Sequence, residues 1–460
     1  MSTTMNKSLM IKWILIIILP LGLFCIPTND VYTEQVRTFF VLTVAAILFF
    51  AFEVVDYIVP SLLLPLAYVL TGVIPMEVAF SSWTTTVPYM LLGCFILSNV
   101  LNRSGVLKRV ALFCIMKLGG TFNRTIFALV IASLVVGFIT SGQGYLIMAT
   151  ICLGICNAFN LDKQSKESSI IMLIGGITSI SMFLVVYNPT FMSVLTASAQ
   201  TVIPDFNVSY TQYLINNVPY ILFYFVFAFL LIKLFKPKME LQGVEYFQEE
   251  YKKLGPMTSL KKKAGLVAIV LLLFLLTSRF HHIDSAWGFI LIPLLYFVPG
   301  INAASAEDVK NIPYSSLFMV AACLSIGSAA SALGLSKLLS DVLTPILASF
   351  GNVGAVIFVW VLGVLANFLL TPMAILAAFS SSVAQIAVDL GLNPLGLFYP
   401  LLAAMDQIVF PYEYVGYLIV FSFGYIRMKD FISMMGFKMI IQFIFMLVVM
   451  VPYWYLMGIF

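Results

Sequence analysis

The sequence predicts an all-α polytopic membrane protein, with about 11 transmembrane helices in two inverted repeats. Three observations carry this reading. The 460 residues are 62% hydrophobic and only 10% charged, with a mean hydropathy of +1.05, which is the composition of a chain dissolved in lipid. Several apolar stretches are interrupted by polar residues after about 16 residues, a reach of ~24 Å against a hydrocarbon core of ~30 Å. The same order of interruptions, a hairpin and then a broken helix, occurs twice. The longest polar stretch, 233–263, is too small for a soluble catalytic domain. No interface loop gathers catalytic acids or histidines, so an enzyme is not expected, nor is a nucleic-acid partner. The six cysteines sit in or beside apolar runs and read as small buried hydrophobes.

A short polar leader with Lys7 and Lys12 precedes an apolar run at 13–26, which no small-x-small cleavage site follows. It is expected to be an uncleaved first helix with a cytoplasmic N-terminus. Spans follow at about 38–52, 57–74 and 86–102, then VLKRVALFCIMKLGG, a basic amphipathic piece suited to the cytoplasmic interface. The first hairpin is expected at about 126–160, with Thr140-Ser141-Gly142-Gln143-Gly144 as its tip. A span at about 168–203, interrupted at Tyr187-Asn188-Pro189-Thr190, reads as the first broken helix. A span at about 213–232 closes the first half.

The Lys-rich connection 233–263 leads to spans at about 264–279 and 286–299. SSLFMVAACLSIGSAASALG (315–334) then aligns without gaps on TVPYMLLGCFILSNVLNRSG (86–105), with Met, Cys and the last Gly coinciding. The second hairpin is expected at about 353–390, with the tip Leu370-Thr371-Pro372, and the second broken helix at about 394–425, interrupted at Phe410-Pro411-Tyr412-Glu413. The chain therefore divides into 1–37, a first repeat at 38–232, a linker at 233–263 and a second repeat at 264–460. With the N-terminus inside, twenty of the 24 Lys and Arg residues fall on the cytoplasmic side. Eleven spans then leave the C-terminus outside and make the halves inverted.

Hairpin tips and helix breaks free backbone N–H and C=O groups at membrane depth, which lipid does not tolerate unless they line a cavity or are buried in protein. N-terminal helix ends favour anions, and freed carbonyls with Ser, Thr or Asn oxygens favour a small cation. The candidate solute-binding residues are Ser141, Gly142, Gln143, Asn188, Pro189 and Thr190 in one half. In the other they are Asn367, Thr371, Pro372, Pro411 and Tyr412. Ser141, Asn188, Thr371, Asp406 and Glu413 are the candidates for ion coupling, because intramembrane carboxylates mark ion or proton paths. In this reading Glu413 sits in the break and Asp406 on the helix before it. No Lys or Arg is expected near either tip or break, and Lys438 lies just inside the last helix. An anion is therefore expected to be held by N–H groups, hydroxyls, amides and any bound cation.

FSSWTTTVPYMLLGCFILSNVLNRSGVLKRVAL (80–112), GGITSISMFLVVYNPTF (175–191) and MDQIVFPYEYVGYLIVFSFGYIRMKDF (405–431) resemble segments of the divalent anion–sodium symporter family. The resemblance runs from about residue 38 to the end. It implies a homodimer with a fixed scaffold and an elevator-like transport domain, carrying dicarboxylates, citrate or sulfate. The family marks its hairpin tips with Ser-Asn-Thr; of the residues here, Ser141 matches its motif position and Thr371 falls in the middle position.

The leading expectation is a secondary active transporter of a small, divalent anion in the cell membrane. It is driven by Na⁺ or H⁺ or works by exchange, with Na⁺ as the one possible bound ion. The alternatives are a cation–proton antiporter or metalloid-oxyanion carrier of the same superfamily, or a non-transporting receptor on the same fold.

Overall fold

The computed structural model describes residues 7–460 apart from 31, 53, 57, 143, 236–244 and 369. The described residues are helices and the turns between them. By length and composition six helices can cross a membrane, or up to eight if each of two bent pairs is one span. Shorter apolar helices, among them Ile58–Leu70, Ser285–Phe297 and Leu395–Met405, stand beside them. This count differs in kind from the eleven expected spans. Length alone admits hairpin limbs and the first broken helix, Lys166–Gln200, as spans and leaves out short helices.

Three of the four hairpin limbs are longer than their apolar runs. The first pair is Phe122–Thr140, of 19 residues, and Tyr145–Ala158, of 14. The first limb starts before the apolar run because Thr121 caps it, its side chain accepting from Arg124 N. The second pair follows Leu335–Asn367, in which Gly351, at φ 66° and ψ −177°, interrupts the helix. Its apolar limb, Leu347–Asn367, has 21 residues, and Pro372–Asp389 has 18.

The duplication seen in the sequence is also visible in the backbone. Gly105 ends Val87–Ser104 at φ 72°, ψ 13°, and Gly334 ends Tyr314–Ala332 at φ 72°, ψ 10°. Both are left-handed, a conformation that costs glycine nothing. The amide of Gly105 donates to Asn102 O and that of Gly334 to Ser331 O, positions that the gapless alignment pairs. The first of these joints bends its helix pair by 62°.

Each broken helix shares its two limbs between the hairpins. Lys166–Ile180 packs on both limbs of the first hairpin, while Pro189–Gln200 packs on Pro372–Asp389 of the second. Leu395–Met405 packs on the second hairpin, while Val415–Ser422 packs on Tyr145–Ala158 and Lys166–Ile180 of the first half. This exchange brings tips and breaks into one buried region. Around it stand Glu34–Phe52, Ile58–Leu70 and Tyr314–Ala332, packed on one another, and Val87–Ser104 against Ser259–Leu276 and Ser285–Leu291.

Candidate functional site between the two hairpin tips

A cavity of about 420 Å³ lies where the two hairpin tips approach each other. Gly142 lines it from the first tip, and Asn188 and Thr190 from the first break. Met373, next to the second tip, and Tyr414, after the second break, complete that wall. Three helices present their N-terminal ends to the cavity. Tyr145 opens Tyr145–Ala158, Thr190 is the second residue of Pro189–Gln200, and Met373 is the second of Pro372–Asp389. The positive ends of three helix dipoles therefore face one space. The opposite wall is Phe95, Ser98, Asn99 and Asn102 of Val87–Ser104, with Asn311, Pro313, Ser316, Met319 and Val320. No charged side chain is among the described residues lining the cavity.

The first tip and first break are built against each other. Ser141 is buried and left-handed at φ 49°, and Gly142 follows at φ 83°. A Cβ on Gly142 would lie 3.2 Å from Asn188 Nδ2, so the absence of a side chain lets the tip close on the break. Asn188 Oδ1 accepts from Thr190 N at 3.0 Å and Phe191 N at 3.3 Å, capping the helix that Pro189 begins. Gln143 lies outside the described residues.

The second half ties its tip and break together with side chains. Thr371 caps Pro372–Asp389 by accepting from Ala374 N at 3.4 Å, and Pro372 is buried at the first helical position. Asn367 donates to Met405 O and Gln407 O at 3.2 and 2.9 Å, tying the hairpin to the break. Its Oδ1 and Gln407 Oε1 are buried without a hydrogen-bond partner. Pro411 is buried in a short turn, Pro411–Glu413, and the side chain of Tyr412 falls outside the described residues. Glu413 accepts from Val409 N at 2.9 Å and Phe410 N at 3.2 Å, so both oxygens satisfy backbone freed by the break.

Two details of the sequence reading need correction here. Asp406 does not sit on the preceding helix; it is the residue that ends Leu395–Met405 and stands in the break. A basic group does lie at a break. Lys438, from Met428–Phe445, donates to Asp406 Oδ2 and to Asp406 O, each at 2.6 Å. The rest of the break and the helix Val415–Ser422 separate these residues in the chain, and only the packing of Met428–Phe445 on the break brings them together.

Residues 98, 99 and 102 were missed as cavity residues, although Ser98-Asn99 and Asn102 stand one turn apart on a helix that is apolar before them. Asn99 Nδ2 donates to Asp308 O at 2.8 Å, and Arg103 grips the Asp308 carboxylate at 2.8 and 2.7 Å. Burial works to raise the Asp308 pKa. The Arg103 bonds and those from Ser305 outweigh it and hold the carboxyl below its usual range. A separate cavity of about 510 Å³ is lined by Asn207, Gln212, His282 and Asp284 among others, with no residue from either tip or break.

Comparisons with known proteins agree with this architecture. The family described as "Sodium:sulfate symporter transmembrane region" matches residues 7–460. SdcS of Staphylococcus saprophyticus, named a sodium-dependent dicarboxylate transporter, is 24% identical over 412 residues, covering 82% of this chain and 77% of its own. A protein of Cupriavidus necator described only as a membrane protein is 23% identical over 263 residues, 55% of this chain. That match spans about half, 51%, of the relative's length. Among solved structures, the YdaH transporter of Alcanivorax borkumensis aligns with a TM-score of 0.54 at 15% identity. The alignment covers 85% of this chain and 89% of YdaH, a likeness of fold.

Proposed function

The chain belongs to the sodium:sulfate symporter family, a family of sodium-coupled membrane transporters and not of enzymes, and we propose that it carries a small divalent anion together with Na⁺. The observation that carries this reading is the convergence of three helix N-terminal ends on a cavity of mixed polar and apolar lining whose described residues bear no charge. An anion there is held by N–H groups and neutral dipoles, strong enough to bind and weak enough to release. The dicarboxylate named for SdcS makes dicarboxylates the first candidates, with sulfate second.

In this proposal Gly142, Asn188 and Thr190 hold the anion from the first half, and Thr371, Pro372 and the backbone around them from the second. Ser141 and Asn188 lend oxygens to the accompanying Na⁺. Arg103 and Lys310 lie on the side of the chain that the positive-inside rule assigns to the cytoplasm. The cavity wall at Asn102 and Asn311 is beside them, so the cavity opens inward. The hairpins and broken helices move as one body past the remaining helices, in an elevator cycle within a plasma-membrane homodimer. Its N-terminus is cytoplasmic and its C-terminus external. A titrating role for Asp406 and Glu413, as in a proton antiporter, gains no support from geometry that engages both carboxylates within the chain.

Uptake of labelled succinate and sulfate into proteoliposomes tests the proposal. Accumulation under an inward Na⁺ gradient, and little when choline replaces Na⁺, is expected. Equal uptake in both salts, or none of either anion, would contradict it.

A further inference from the structure

The first limb of each broken helix ends at the same place. Lys166–Ile180 ends at Ser181 and Leu395–Met405 ends at Asp406, and Ser181 Oγ donates to Asp406 Oδ1 at 2.5 Å. The α-helical part of each first limb therefore ends at this junction, the first running on as a 3₁₀ turn over Ser181–Leu184, and a carboxylate stands between them. Tyr224 OH donates to Ser181 O at 2.5 Å, and Tyr417 OH lies 3.4 Å from Ser181 Oγ, which leaves the negative charge uncompensated by any of these neutral groups. The compensation is Lys438, 0% exposed against an Asp406 that is 1% exposed, with its ammonium on both the side-chain and the backbone oxygen of Asp406. One helical turn on, Gln442 is fully buried beside the same carboxylate.

We infer that Lys438 is a tethered cation. Its ammonium fills, at the meeting point of the two broken helices, a place whose oxygen donors suit a small mobile cation. Asp406 Oδ2 and Asp406 O form that donor set, and Ser181 Oγ braces the other oxygen of the same carboxylate. All are hard oxygens. A cation fixed to the chain returns with the empty carrier, so it neutralises this junction in every state without dissipating an ion gradient. The consequence for coupling rests on the transporter reading above: the cycle takes its Na⁺ at the first tip and break and needs none at this junction. The cation site itself does not depend on that reading.

Thermal stability of the purified full-length protein in NaCl and in choline chloride tests the site. Lys438→Ala uncovers Asp406, and Na⁺ is expected to stabilise this variant by several degrees more than it stabilises wild type. The excess should vanish in Asp406→Asn/Lys438→Ala. A folded Lys438→Ala with no excess over wild type would overturn the inference. If Lys438→Ala does not fold in either salt, Asp406→Asn/Lys438→Met decides, because a neutral pair of similar volume often replaces a buried ion pair without loss. This double variant should fold and keep the wild-type steepness of Na⁺-dependent uptake. A shallower dependence, or failure to fold, would overturn the inference. A wild type that takes up neither succinate nor sulfate would defeat the transporter reading. It would leave the NaCl-against-choline comparison to judge the tethered cation on its own.

Discussion

In the first break, residues 181–188 carry no charged side chain, and Asn188 and Thr190 face an open cavity. In the second, residues 406–413 carry two carboxylates, and neither lines that cavity. Asp406 is held by Lys438 and Ser181, Glu413 by two backbone amides, and Asn367 spans the gap to Met405 and Gln407. The same bend thus serves two purposes. Broken backbone at membrane depth must be satisfied by something; in the proposal above one half shares that task with a passing solute, and the other answers it with carboxylates and Lys438 while leaving Asn367 Oδ1 and Gln407 Oε1 unpartnered.

The comparison breaks most readily at the closed junction. Asp406→Ala leaves the Lys438 ammonium buried without its carboxylate, which should cost about 3–5 kcal/mol of stability. A melting temperature equal to wild type would mean that the pair does not hold the break. At the open half, Asn188→Ala removes the cap of Pro189–Gln200 and a cavity amide together. Anion affinity should fall by about tenfold to a hundredfold, the worth of one hydrogen bond to a charged ligand. Thr371→Ala and Ser141→Ala should weaken binding in the same direction, and full wild-type affinity in all three variants would move the solute elsewhere.

Glu413→Gln sharpens the contrast with a smaller effect. The amide keeps one acceptor for Val409 N or Phe410 N and loses the other, at about 1 kcal/mol. The Na⁺ dependence of uptake should not change; a shifted Na⁺ or pH dependence would restore the coupling role that the sequence indicated for Glu413. The smallest expected effect lies outside the tips and breaks. Asp308 has a depressed pKa in the folded protein, so its contribution is present at neutral pH and fades as pH falls through that depressed value. Because Arg103 is 38% exposed, solvent screening limits the pair to about 1 kcal/mol. Asp308→Asn should therefore melt below wild type at pH 7, and the gap should narrow toward pH 3. A gap that is constant with pH would assign the loss to packing instead.

Much of the architecture was legible before any coordinates. Gly105 and Gly334 coincide in the alignment and share one backbone conformation, and both hairpins and both breaks lie where polar residues interrupt apolar runs. These features are local: a left-handed glycine, a cap or a proline acts on its own turn of helix. The site was less legible because it depends on which helix faces meet. Gly142, Asn188 and Thr190 could be named from the tip and break alone. Asn99 and Asn102 join them only because Val87–Ser104 turns that face inward. Lys438 carried a signal that was passed over: a lone lysine in FISMMGFKMIIQFIFM needs a buried partner. Its partner, however, is a residue 32 positions away, and sequence spacing does not identify it.

Equilibrium binding of labelled succinate to purified wild type and Asn188→Ala, each in NaCl and in choline chloride, tests most directly that the open half holds the solute. Saturable binding to wild type in NaCl is predicted, much weaker in choline, with Asn188→Ala at least about tenfold weaker in NaCl. Binding to Asn188→Ala as tight as to wild type, or wild-type binding indifferent to Na⁺, would contradict the assignment of solute and cation to the first tip and break.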